Sequence, residues 1–519
     1  MKNHPPSIFN DVIGPVMRGP SSSHCAAAVR IGRIARDLVD GDISDVLIEL
    51  DPQGSLATTH ESQGSDMGLF GGLLGWDTTH ERLEDSPRAI QEAGIRVKIR
   101  ITPIHASHPN TYQMTIRNSR ETHKMTAIST GGGIIEVIGI DGVKLSMAGD
   151  YYETIVYSDA HGELLQAHLK ENVQADEIQL LRSKNTCFVE IKSHGYLDRD
   201  MVSRLCSRLN ISGIKQIKPV LPILSRQEIE VPFITCGGML EYNQDKNLDL
   251  GELAVDYERA RGGIPAKDVL EKMAGIIDIM QNAIQTGLGG TEYADRILGN
   301  QSLGFQSQMA KHRLIDGGVL NRIILYTTAL MESKSAMGLI VAAPTAGSCG
   351  GLPGACFGVA DEMNLTREDL TCAMLAGGLI GIFIAAHATF AAEVGGCQAE
   401  CGAGSGMAAA ALVTLAGGTA HQAVDAASMA LQNILGMICD PVANRVEVPC
   451  LGKNVMAASN ALACANMALA GYDPVIPLDE VIQTMDKVGK MLPVALRCTA
   501  LGGLSVTKTA KEIEKRLMQ

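Results

Sequence analysis

From Thr371 to Ala392 the chain contains no Asp, Glu, Lys or Arg, and an uncharged run of that length has few ways to fold. It can cross a bilayer, which takes about 20 apolar residues in a helix, or it can be the central helix of a large interior. The run is built mostly of Ala, Gly, Thr and Cys, includes His387 and has no aromatic belt, which is unlike a membrane span. A helix buried in a helical core is therefore expected, with no membrane partner. The chain as a whole agrees: aromatic residues are 4% while glycines number 55, so small side chains must let helices approach closely.

With 519 residues the chain exceeds one ordinary domain, and two or three are expected. Residues 1–150 read as an α+β domain. AAAVRIGRIARDLVDG has the apolar period of a helix, DVLIEL and IRVKIRIT read as strands, and DVIGPVMRGPSSSH reads as loop. Residues 151–224 follow the order βαββαβ of a ferredoxin-like unit, with its second helix in DRDMVSRLCSRL. This order resembles an ACT-type module, and a spacer or dimerisation role fits it as well as ligand binding. From residue 225 to 519 helical periodicity dominates, and a large all-α domain is expected to carry the chemistry.

A net charge of −13 argues against nucleic acid as partner. Thirteen cysteines at irregular spacings, behind an opening MKNHPPSIFN without an apolar signal core, read as thiols of a reducing cytoplasm. Such thiols bind metal or do redox chemistry more often than they form disulfides. Cys397 in EVGGCQAE, Cys439 in CDPVAN and Cys450 in VEVPC lie beside glycine or proline, where the backbone can turn and present a thiol. Cys206, Cys372 and Cys464 lie within helical runs and read as buried apolar residues.

The segments PTAGSCGGLPG (344–354), GGCQAECGAGSGMAAAA (395–411), CDPVANRVEVPC (439–450) and KNVMAASNA (453–461) resemble the α part of the bacterial iron–sulfur L-serine dehydratases. IGPVMRGPSSSH (13–24), HPNT (108–111) and STGGG (129–133) resemble the β part, as in a fusion of two subunits. The family spaces its three cluster cysteines 42 and then 11 positions apart, as Cys397, Cys439 and Cys450 are here. The resemblance implies a 4Fe–4S cluster on these three thiols, with a fourth iron free to act as a Lewis acid on a small β-hydroxy acid. It implies a lyase in the cytoplasm, a homodimer, that converts L-serine to pyruvate and ammonia.

The resemblance also suggests which polar residues to watch. Ser21, Ser22, Ser23, Asn110, Thr111, Thr345, Gly347, Lys453 and Asn454 are substrate-binding candidates, and His24, His60 and His108 are candidates for the catalytic base. Each has a plainer alternative. The serines can cap the next helix, HPN can be a turn, PTAG can be a helix-entry loop, and Lys453 can be solvated. The pattern is broken at SQGSD (62–66), where the family has GHGTD. Gln63 thus replaces a histidine, and an amide is no base; His60 lies three positions earlier. Cys25, Cys349, Cys401 and Cys498 stand where small or polar residues are expected. Two rival functions follow: dehydration of a larger acid such as 2-(hydroxymethyl)glutarate, or a cluster-bearing redox or iron sensor.

Overall fold

A computed structural model describes residues 5–158, 162–198, 200–201, 204, 211–294 and 296–517. Strand β1 (Val16–Met17) is followed by β2 (Asp45–Leu50), β3 (Arg96–Ile101), β4 (Thr111–Arg117), β5 (Thr122–Gly131), β6 (Ile134–Ile140) and β7 (Val143–Met147). Strands β2 to β7 form one mixed sheet in the order β3-β2-β4-β5-β6-β7, in which only β2 and β3 run parallel. Alternate residues along them (Val46, Ile48 and Leu50; Tyr112, Met114 and Ile116) are buried, as the two-residue period of a half-covered sheet requires. The helix Ala27–Asp37 covers that face with Ile31, Ile34 and Ala35.

Four more strands, β8 (Tyr152–Ser158), β9 (Glu177–Arg182), β10 (Cys187–Ser193) and β11 (Ile211–Ile217), make an antiparallel sheet in the order β11-β8-β10-β9. This is the strand order of a ferredoxin-like unit. The helix Gly162–Asn172 buries Leu165 and Leu169 on one face, against Val156, Val189 and Ile191. The second expected helix falls largely outside the described residues, as does Cys206. The other face carries Ile155, Phe188 and Ile217 into the core of the six-stranded sheet.

The C-terminal part is helical, as expected, apart from β12 (Ile340–Val341), which pairs antiparallel with β1. Several helices start at capping boxes, Asp249 with Glu252, Thr366 with Asp369 and Thr419 with Gln422, each of which satisfies two orphan backbone donors. The uncharged run forms the helix Arg367–His387, long and apolar enough to cross a membrane but buried from Leu370 to Ala385 except at Cys372. Its glycines show why small residues are needed. A Cβ on Gly378 would stand 2.8 Å from Ile8, and one on Gly381 2.1 Å from Val12, so the N-terminal segment lies directly on this helix. Residues 11–24, which read as loop, fall partly within the helical turns Ile8–Val12 and Ser22–Ala26. Ile8, Phe9, Val12, Ile13 and Met17 belong to the helical core, not to that of the six-stranded sheet. Packing against the Arg367–His387 helix supplies the apolar partners that the local sequence lacks.

Candidate active site

The SSSH segment does not cap its helix. Ser21 makes no capping bond; its hydroxyl lies 3.1 Å from His24 Nδ1. Thr59 donates its hydroxyl proton to the carbonyl of Ser55 at 2.7 Å, so it must accept from His24 Nε2 at 2.8 Å. That leaves Nδ1 as the basic nitrogen of neutral His24, 3.4 Å from Glu393 Oε1. Burial pushes the His24 pKa down, Glu393 opposes this, and nearby His60 lowers it further. Ser23 donates to Glu393 Oε1 at 2.9 Å.

His60 is half-buried, with Nδ1 2.8 and 2.9 Å from the two oxygens of Asp66. The Asp66 hydrogen bond raises its pKa, against the effect of burial, and leaves Nε2 as its basic nitrogen when neutral. His108 sits in a real turn: its Nδ1 accepts from the Asn110 amide at 3.1 Å and its carbonyl accepts from Thr111 Oγ1 at 2.7 Å. Burial lowers the His108 pKa while Glu393 raises it. Asn110 is fully buried, and neither atom of its side-chain amide has a hydrogen-bond partner.

The thiols converge from three directions. Cys397 opens the turn Cys397–Ala399, Cys439 bridges to Arg497, and Cys450 starts the helix Cys450–Leu469. Cys397 accepts hydrogen bonds from Cys401 and Cys439, which hold its pKa well below the usual thiol range. Burial raises the Cys450 pKa, and the charge of Cys397 adds to it. Cys439 also meets Cys498, to which Gln63 donates at 3.4 Å. All five thiols are buried and free. Among the described residues no three His, Cys, Asp or Glu side chains are arranged to hold one metal ion. A multi-iron cluster places its ligands farther apart than a single ion does, and a buried, all-thiol donor set suits such a cluster.

The PTAG loop is the turn Ala346–Ser348, closed by a capping box between Thr345 and Ser348, so it is indeed a helix-entry loop. The Ala346 amide is already given to Ser22 Oγ at 3.1 Å. The carboxylate the loop meets belongs to the chain itself: Thr345 Oγ1 donates to Glu400 at 2.7 Å, and a Cβ on Gly347 would stand 3.1 Å from that group. Burial, helped by Cys397 and Glu393, pushes the Glu400 pKa up to about 8, so this acid can donate a proton at neutral pH. Asn454 is a clamp. It accepts from the Gly350 and Gly351 amides at 3.1 Å and donates to the carbonyls of Gly347 (2.8 Å) and Cys450 (2.9 Å). Lys453 is not solvated; it donates to the Ile438 carbonyl at 2.7 Å and to Asp440 at 2.9 Å.

Sequence reasoning missed Glu393, Glu400, Thr59 and Asp66, and did not group Cys401 and Cys498 with the other thiols. The two acids had a signal, since they flank Cys397 in EVGGCQAEC. Cys401 and Cys498 had one too, since both stand where small or polar residues are expected; the Cys439–Arg497 bridge is what brings Cys498 to the other thiols.

A sequence model described as the serine dehydratase alpha chain matches residues 172–505. The chain belongs to the L-serine dehydratase family. It is an enzyme, a lyase. A probable L-serine dehydratase alpha chain of Bacillus subtilis is 39% identical over 279 residues, 54% of this chain and 93% of the relative. The probable beta chain of the same organism is 38% identical over 159 residues, 30% of this chain and 71% of the relative. An L-serine dehydratase of Streptomyces coelicolor is 26% identical over 513 residues, 94% of this chain and 96% of the relative. The chain thus unites parts that are similar to separate alpha and beta chains elsewhere.

Proposed function

We propose that the chain dehydrates L-serine at a 4Fe–4S cluster held by Cys397, Cys439 and Cys450, releasing pyruvate and ammonia. The observation that carries this reading is the meeting of the buried thiols with a wall of histidines and acids, in a family whose relatives are named L-serine dehydratases. When bound, the cluster would supply the Lewis acidity that makes hydroxide an acceptable leaving group. The chain's own residues do the rest. His60, oriented by Asp66, takes the α proton on Nε2. His24 and the serines before it position the substrate, and Glu400 gives a proton to the departing hydroxyl. The resulting enamine tautomerises and hydrolyses in water. Asn454 supports the loop that carries Thr345 and Gly347, and Lys453 supports the Cys439 strand, so both act at one remove. The reading includes a cytoplasmic homodimer with an ACT-type module at 151–224, checked by sedimentation.

Anaerobically purified protein should be brown, lose its colour and activity in air, and regain both with ferrous iron and thiol. Replacing Cys397, Cys439 or Cys450 by Ser should abolish the charge-transfer absorption and the release of pyruvate together. A fully loaded, active Cys439→Ser enzyme would rule out this ligand set. A protein that carries the cluster yet turns over no β-hydroxy acid would be a sensor.

A further inference from the structure

One lysine of the interior has no part in the steps above. Lys334 lies in the last turn of the helix Val319–Ser335 and is fully buried. Its ammonium donates to one acceptor, the carbonyl of Val446, four residues before Cys450 in VEVPC. The helix that carries it packs against the helix Cys450–Leu469. Among the described residues Lys334 makes no ion pair. The acids nearest to it along these two segments are turned elsewhere: Glu332 accepts from the Ser302 hydroxyl at 2.5 Å, and Glu447 from the Ile297 and Leu298 amides at 3.2 and 3.1 Å. A buried ammonium gives up its hydration, and only an anion close by compensates for that loss.

The charge of Lys334 reaches Cys450 and Glu400, where it opposes the effect of burial. A second lysine, Lys453, also acts on Cys450, but its ammonium is already paired with Asp440 at 2.9 Å. Binding of metal displaces the protons of ligand thiols. The usual 4Fe–4S core carries two positive charges, so three thiolates leave the whole with one net negative charge. We propose that Lys334 is the resident counter-cation of the cluster, held by the Val446 carbonyl on the loop of the third ligand to balance the net charge of a cluster on Cys397, Cys439 and Cys450. This rests on the cluster reading above and gives a role to a residue outside the ligand set. A fixed positive charge favours the more reduced, more negative forms of the cluster, so Lys334 protects it against loss of an electron to air.

The test uses full-length protein reconstituted anaerobically with ferrous iron, sulfide and thiol. It compares Lys334→Met, which removes the charge and the hydrogen bond, with Lys334→Gln, which removes the charge and keeps a donor for Val446. Both variants should favour the reduced cluster about tenfold less than the wild type does, which lowers the midpoint potential of the one-electron couple by about 59 mV. Both should also lose iron to a ferrous chelator several-fold faster. The metal-free variants should resist denaturant at least as well as the metal-free wild type, because a buried charge without a partner is gone. A purely structural lysine would give the reverse, a weaker metal-free fold and an unmoved potential, and that result would overturn the assignment. So would a loaded Lys334→Gln protein with the wild-type potential. A loaded variant changed only in its affinity for L-serine would pair the lysine with the substrate instead, and would overturn it too. Should Lys334→Met fail to fold, Lys334→Gln carries the same comparison. A wild type that takes up no cluster on reconstitution would overturn the cluster reading itself.

Discussion

The four-stranded sheet and the active site both bury polar atoms without partners, but they resolve them differently. On the sheet face against the six-stranded unit, both oxygens of Glu153 and one of Glu190 are unpaired. Burial raises the pKa of both acids, that of Glu190 to about 7, and the two interact with one another. A proton held by one acid can be shared with an oxygen of the other, which removes one of the two buried charges. In the active site the unpaired set includes the Asn110 amide, which no proton can satisfy at neutral pH. Unpaired buried atoms therefore do not by themselves mark a ligand site.

The largest effect that would test this contrast comes from His60. His60→Ala should lower kcat by about two to four orders of magnitude with the visible spectrum intact, while His24→Ala should chiefly raise KM. Equal, small losses in both variants would remove His60 from the role of base.

Two asparagines of the site should behave in opposite ways on unfolding. Asn454→Ala breaks a buried clamp and should cost about 3 kcal/mol in chemical denaturation. Asn110→Ala removes an amide that bonds nothing in the free protein, and should leave stability within about 1 kcal/mol while activity falls. A large stability loss in Asn110→Ala would mean that its amide is structural.

In the sheet the removal of an orphan should help the fold and spare activity. Glu190 has an ordinary pKa near 4.5 and one near 7 in the folded protein. Between these values the folded state binds the extra proton, so stability falls as pH rises across that window and the penalty persists above it. Glu190→Gln should therefore stabilise the protein at pH 8 by on the order of 2 kcal/mol, and by little at pH 4. Pyruvate release should not change. Equal stabilisation at both pH values would show that ionisation is not the cause.

The smallest effect expected is in the pH profile. Asp66 raises the pKa of His60, and the neutral form is the base, so activity should rise with pH through that value. Asp66→Asn should move the acid limb to lower pH. An unmoved limb would assign the acid limb to another group.

The parts of the site legible in the sequence were those carried by local pattern. The spacing of Cys397, Cys439 and Cys450 and the serines before His24 were visible because a motif keeps its neighbours. The HPN turn and the PTAG loop were visible as turns as well as site candidates, and the structure builds those turns. Lys453, next to the third cysteine, reads in the sequence as a ligand contact or a solvated lysine; only the fold shows that it bonds to Asp440 and the Ile438 carbonyl. The helical turns at Ile8–Val12 and Ser22–Ala26 were hidden because their stability comes from distant packing and not from local propensity: the first lies on the Arg367–His387 helix, the second against the helices Ala27–Asp37 and Ser65–Leu73.

By itself, the sequence determined what depends on residues near one another along the chain. This includes the buried uncharged helix, the alternation of the sheets, the strand order read as βαββαβ and the thiol spacing. Tertiary structure alone decided what depends on charges brought together from far apart. Glu393 reaches Ser23 across 370 positions of sequence, Gln63 reaches Cys498 across 435, and Thr345 reaches Glu400 across 55. Burial and neighbours then set which groups hold protons, and in a low-dielectric interior those effects depend on distance in space, which periodicity and motif do not encode.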